Sequence, residues 1–183
     1  MNLPNKLTIG RIIAVPFFIA AFLMGYYLVA FILFIAASFT DMLDGKIARA
    51  RGLVTNFGKI MDPLADKILV YSALCLLLED GVIAGWMLIV ILAREFAVAG
   101  MRTVAASEGK VIAAGMSGKI KTVLQMIAVP VLILSLIPVP VLRLPGLVIF
   151  YASLFMTVYS GCEYIIKNKE VFSMESVEIN IFY

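Results

Sequence analysis

The chain has 183 residues, of which 63% are apolar and only 15% charged, with a mean hydropathy of +1.05, far from the roughly half-apolar, quarter-charged make-up of a soluble domain. At roughly 20 residues per membrane crossing, six helices consume most of this length and exclude a separate soluble domain. The lack of histidine excludes Ser-His-Asp and Cys-His catalysis, His-ligated zinc and His-ligated haem.

The opening segment, Met1 to Arg11, places Pro4 near a helix start and carries Lys6 and Arg11. It reads as a short interfacial N-terminal helix. A signal-peptide reading fails for want of an A-x-A-like cleavage site before an exported domain. Apolar stretches then run Thr8 to Met24, Leu28 to Thr40, Leu64 to Leu78, Val82 to Ala93 with continuation to Ala106, Ile120 to Ile137, and Leu144 to Ile166. A single helix from Ile12 to Thr40 would be about 43 Å long at 1.5 Å per residue, too long for one crossing. The break is expected at Gly25-Tyr26-Tyr27, where a flexible residue meets two interface-seeking aromatics. The expected fold is thus all-α, with six transmembrane helices after the interfacial helix, over residues 1–167. Residues 168–183 form a short cytoplasmic tail. Cys75 and Cys162 stand singly in apolar runs and are expected to be inert core thiols.

Lys and Arg gather in cytoplasmic connectors. They cluster at Lys6 and Arg11, from Lys46 to Lys67, from Arg102 to Lys121, and at Lys167 and Lys169, while the alternate connectors hold only Arg143. Both termini are therefore expected in the cytoplasm, in a multi-pass protein of the cell membrane.

Four aspartates, Asp41, Asp44, Asp62 and Asp66, fall within 26 positions of this apolar background, near the cytoplasmic ends of the second and third spans. A carboxylate at helix centre costs about 2.5 to 3.5 kcal/mol on insertion scales, so the group needs compensation. Asp41 and Asp44 are i,i+3 neighbours and Asp62 and Asp66 are i,i+4 neighbours, so each pair shares a helix face. Oxygen ligands of this kind suit hard divalent cations such as Mg²⁺ or Mn²⁺, and two such ions balance four negative charges. Paired metals are a recurrent device for phosphoryl transfer. Gly45, Ala48 and Gly58 allow close ligand approach, and Arg49 is a cation suited to phosphate. Taken singly, these residues also read as snorkelling charges, a topology marker and helix-packing contacts; the full pattern does not.

The pattern, D-x-x-D-G-x-x-A-R-x8-G-x-x-x-D-x-x-x-D, resembles the signature of the CDP-alcohol phosphotransferases at all eight defined positions. That resemblance implies a short interfacial helix followed by six transmembrane helices, commonly a homodimer, and a reaction in which an alcohol displaces CMP from a CDP-linked lipid. It also implies that Asp41, Asp44, Asp62 and Asp66 bind two divalent cations, that Asp66 is the base for the attacking hydroxyl, and that Gly45, Ala48, Arg49 and Gly58 hold the CDP group.

The signature is silent on the acceptor. The charges left in or beside the fourth and fifth spans, Arg94, Glu95, Arg102, Lys119 and Lys121, are mostly cationic and suit an acceptor that carries a phosphate; the same cations also serve as topology markers. The segments Asn2 to Arg11, Asp62 to Lys67, Ala93 to Arg102 and Gly118 to Thr122 are similar to bacterial members of the family that pass the phosphatidyl group from CDP-diacylglycerol to sn-glycerol 3-phosphate. Asn5 and Thr8 are then candidate neighbours of the nucleotide, though an N-x-x-T pattern also caps or packs a helix. Inositol phosphate, serine and phosphatidylglycerol are the competing acceptors. A carboxylate-lined cation transporter is the rival of another class, weakened by the one-sided clustering of the aspartates and the lack of an inverted repeat.

Overall fold

The computed structural model describes the backbone of residues 3–50, 56–107, 109, 112–113, 115–137 and 140–169, and their side chains apart from 3–6, 41–50, 56, 57, 59, 60, 63 and 140. Six helices account for the regular structure of the described residues: α1 (Leu3–Leu23), α2 (Tyr27–Ala50), α3 (Asn56–Glu79), α4 (Gly85–Ser107), α5 (Met116–Leu134) and α6 (Arg143–Lys167), with one 3₁₀ turn at Pro140–Leu142.

The separate interfacial helix expected ahead of the first span is not a distinct element, because α1 runs unbroken from Leu3 to Leu23. Pro4 falls in its first turn, where the missing N–H would have had no intrahelical partner. The expected break after α1 is present. Gly25 takes φ +77°, its N–H bonds to the Phe22 carbonyl at 2.9 Å and the Tyr26 N–H to the Ala21 carbonyl at 2.9 Å. This is a Schellman closure, in which a left-handed glycine caps the carbonyls of the last turn. Gly81 repeats the device after α3.

Two helices run well past their apolar stretches: α2 continues from Thr40 to Ala50, and α3 begins at Asn56 rather than Leu64. The aspartates therefore lie on helical backbone with regular spacing. Among the described residues, α5 and α6 are long and apolar enough to cross a membrane by composition alone, while α1 and α2 carry the shorter apolar stretches Leu7–Leu23 and Tyr27–Thr40. Large apolar side chains are displayed on the outward faces: Phe17, Ile89, Phe96, Phe155 and Ile166 are each more than 60% exposed. Large hydrophobic side chains displayed on every side suit lipid, not water. Cys75 and Cys162 also lie on exposed faces, free and unpaired, which corrects the expectation of core thiols. In a membrane protein an apolar surrounding no longer means the interior, so small apolar side chains sit equally well against lipid.

The core is built from all six helices, with Phe18, Phe34, Leu69, Leu77, Ile91, Leu132 and Phe150 almost completely buried and the rings of Phe18 and Phe34 6.0 Å apart. Among the described glycines, Gly146 makes the closest approach, from α6 to α5. A Cβ on Gly146 would stand 2.8 Å from Leu132 Cδ2 and 3.2 Å from Val131 Cγ1. Gly146→Ala is expected to lower stability by about 1–3 kcal/mol through overpacking, read as a lower unfolding temperature in detergent. An unchanged temperature would mean that α6 shifts without penalty.

Contacts between helix ends sort the charges. Tyr27 Oη donates to Asp80 at 3.4 Å where the connectors poor in Lys and Arg meet. At the other end α1 meets α3 through Thr8 and Asp62, α4 meets α6 through Arg102 and Tyr164, and α5 meets α6 through Ser117 and Glu163.

Candidate active site

The charge-rich end divides into an acidic and a basic half. On the acidic side α3 presents Asp62 and Asp66 one turn apart, both half-buried. Thr8 of α1 is fully buried, and its hydroxyl donates to Asp62 Oδ1 at 2.5 Å. A fixed hydroxyl donor holds a carboxylate in one orientation, as outer-shell partners of metal ligands do. Arg11, one turn further along α1, is only 2% exposed, and Gly58 is buried near the start of α3. Asp41, Asp44, Gly45, Ala48 and Arg49 belong to the last turns of α2, and their side chains, like that of Asn5, lie outside the described residues. The expected four-carboxylate cluster is thus described at Asp62 and Asp66 only. An oxygen donor set with an oriented carboxylate fits a hard divalent cation.

The basic half centres on Glu95 of α4. Its Oε1 lies 2.7 Å from Lys121 Nζ and 3.0 Å from Arg94 Nη1, and its Oε2 lies 3.5 Å from Lys67 Nζ. Three cations around one carboxylate leave two positive charges in excess. Lys121 is buried, so its ammonium has exchanged water for the Glu95 carboxylate. Arg94 is threaded between two other helices: a Cβ on Gly118 of α5 would come within 3.1 Å of Arg94 Nη2, and one on Gly161 of α6 within 3.0 Å of Arg94 Cγ. Arg102 Nε donates to Tyr164 Oη at 3.2 Å. Ser117 and Lys167 both donate to Glu163.

These residues open onto a cavity of about 1490 Å³, lined by Lys67, Arg94, Glu95, Arg102, Lys119 and Lys167 among others. A smaller cavity of about 130 Å³ is lined by Asp66, Lys67, Tyr71, Glu95, Lys121 and Gln125, with apolar walls from Val70 and Met126. Lys67, Glu95 and Thr122 line both spaces. Of the four cations assigned to an acceptor phosphate, Arg94, Arg102 and Lys119 face the larger space, while Lys121 faces the smaller one beside Asp66. Lys67, counted in the sequence only as a topology charge, joins the two. Gln125 and Gly161 carry no charge and fall in apolar runs, so no sequence signal marks them. Two neighbouring carboxylates, one of them oriented by Thr8, beside a surplus of cations and an open polar cavity are equipped for chemistry on phosphates.

The sequence profile of the CDP-alcohol phosphatidyltransferases matches residues 1–159. The chain belongs to this family. Among its relatives, the CDP-diacylglycerol--glycerol-3-phosphate 3-phosphatidyltransferase of Bacillus subtilis is 45% identical over 185 residues, covering 92% of this chain and 96% of the relative. The protein of the same description from Rickettsia felis is 39% identical over 176 residues, covering 93% and 97%. A probable phosphatidylglycerophosphate synthase of Mycobacterium tuberculosis is 36% identical over 172 residues, covering 91% and 81%. Divalent-metal dependence goes with the CDP-alcohol phosphatidyltransferase family, in keeping with the all-oxygen donors at Asp62 and Asp66.

Proposed function

We propose that this CDP-alcohol phosphatidyltransferase transfers the phosphatidyl group of CDP-diacylglycerol to sn-glycerol 3-phosphate, giving phosphatidylglycerophosphate and CMP. The observation that carries this reading is the cation surplus around Glu95, in a cavity that shares Lys67, Glu95 and Thr122 with the space beside Asp66. A phosphorylated acceptor supplies the anion that this surplus calls for, and its far hydroxyl then comes to Asp66.

In the reaction the glycerol hydroxyl oxygen forms a bond to the donor β-phosphorus, the bond from that phosphorus to CMP breaks, and Asp66 takes the hydroxyl proton. Asp41, Asp44, Asp62 and Asp66 would hold two divalent cations, Mg²⁺ or Mn²⁺, which would supply positive charge to offset that on the phosphoryl oxygens and the departing CMP. Thr8 keeps Asp62 in its ligating orientation. Gly45, Ala48, Arg49 and Gly58, with Asn5 at the start of α1, take the CDP group, while the donor's acyl chains remain against the apolar outer faces. Arg94, Arg102, Lys119 and Lys121 hold the acceptor phosphate, and fixing both substrates is a large part of the catalysis.

The deciding experiment incubates purified protein with CDP-diacylglycerol, Mg²⁺ and a panel of glycerol 3-phosphate, glycerol, serine, inositol phosphate and phosphatidylglycerol, reading CMP and product mass. Glycerol 3-phosphate is expected to give by far the most CMP. Cation uptake into proteoliposomes with no CMP release would overturn the enzyme reading in favour of a transporter.

Six membrane crossings, with the active site and both termini in the cytoplasm and a homodimer as the working unit, complete the proposal. The gathering of Lys67, Arg102, Lys119 and Lys167 around one cavity supports a single cytoplasmic face. In a chain with Cys75 and Cys162 replaced, single cysteines at Lys6, Gly52, Lys110 and Asn168 are expected to react only from the cytoplasm, and cysteines at Tyr26, Asp80 and Pro140 only from outside. Any crossover between the two groups refutes this topology.

A further inference from the structure

We propose that Gln125 recognises the second, non-reacting hydroxyl of the glycerol phosphate acceptor and so sets acceptor specificity. The inference rests on the acceptor reading above and adds a residue to it. Gln125 is 4% exposed, its Nε2 is buried, and among the described residues that nitrogen has no hydrogen-bond partner. A buried amide nitrogen without a partner is costly, and such groups in native proteins are nearly always satisfied by something. Gln125 lines the small cavity together with Asp66 and Lys121.

The groups that line that cavity correspond in kind to the groups on the acceptor. Asp66 stands where the attacking hydroxyl must give up its proton. Lys121 is one of the cations that hold the phosphate, and Lys67 joins this cavity to the larger one where the others lie. A three-carbon chain stretched between those points carries its remaining hydroxyl on the middle carbon. Gln125 lies one helical turn from Lys121 on α5 and on the same face, while the neighbouring walls, Val70 and Met126, offer that hydroxyl nothing polar. An amide both donates and accepts, so it serves a hydroxyl in either sense. A role for this nitrogen as glue between helices would instead require a bond to a neighbouring helix, and among the described residues the Nε2 makes none.

The test compares sn-glycerol 3-phosphate with 3-hydroxypropyl phosphate, which keeps the phosphate and the reacting hydroxyl but lacks the middle one. Wild-type protein is expected to favour glycerol 3-phosphate in kcat/KM by roughly 10- to 100-fold, the range for an unpaired buried polar group. In Gln125→Met, of similar volume and apolar, that preference is expected to collapse to within a few-fold. The change should come through a higher KM for glycerol 3-phosphate, with the KM for CDP-diacylglycerol unmoved and the unfolding temperature equal or higher. Gln125→Asn, whose amide is withdrawn by one carbon, should lie between. An unchanged preference in Gln125→Met, or no preference in the wild type, overturns the proposal. So does a Gln125→Met protein that fails to fold, since that outcome assigns the amide a structural role. A wild-type protein that releases CMP with neither phosphate overturns the acceptor reading itself.

Discussion

Asp62→Asn and Asp66→Asn are each expected to reduce CMP release to assay background, and excess chelator should do the same to the unaltered protein until Mg²⁺ or Mn²⁺ is restored. Each substitution preserves size and polarity but removes the charge that a hard cation requires, at positions where the chain has no histidine or paired cysteine to substitute. Thr8→Val makes the argument graded. It leaves both carboxylates in place and removes only the hydroxyl donated to Asp62. Loss of such an outer partner should weaken metal affinity about 10- to 100-fold, so activity should return at higher Mg²⁺. Titration of activity against Mg²⁺ separates the three variants. Full turnover in excess chelator, or wild-type metal dependence in all three, would falsify the assignment of α3 as a metal-binding helix.

The second large effect falls on the acceptor alone. Arg94→Ala is expected to raise the KM for glycerol 3-phosphate by roughly 10- to 150-fold, the equivalent of one charge-assisted hydrogen bond of about 1.5 to 3 kcal/mol, while the KM for CDP-diacylglycerol stays within a few-fold of wild type. Arg49→Ala should do the reverse. Gly161→Ala should reproduce part of the Arg94 effect without touching a charge, because the new methyl meets Arg94 Cγ at 3.0 Å and must displace the side chain. Kinetics with one substrate varied and the other saturating decide the matter. If variants at Arg94, Arg102, Lys119 and Lys121 all keep the wild-type acceptor KM, or if plain glycerol serves as well, the phosphate assignment fails.

The positions of the six helices are legible in the sequence because apolar runs, glycine stops and alternating charge each mark a helix or its end. The break at Gly25 follows from residue chemistry alone, and the structure adds only the φ of +77° that makes glycine the fitting choice. The joined lead-in helix was harder to see, since Lys6 and Arg11 look like interfacial residues until α1 packs on α3 and buries Arg11. Asp62 and Asp66 stand out because a charge in an apolar run is expensive. Gln125 does not stand out, because an uncharged amide in a helix carries little penalty until its surroundings are known. Lys67 lies in between: its charge is plain in the sequence, but its place between the two cavities depends on how α3 meets α4.

The division of the charge-rich end between helices also dictates an order of assembly during synthesis. The Thr8 and Asp62 pair needs only α1 and α3, and can form as soon as the third helix has been inserted. The basic cavity needs Gly161, Glu163 and Tyr164 from the last helix, because α6 completes the channel around Arg94 that Gly118 of α5 lines on the other side. A growing chain that follows the N-terminal-first order of folding thus acquires its acidic half well before the groups that draw in the second reactant. A nascent protein stalled before α6 is left with carboxylates but without the walls of the larger cavity.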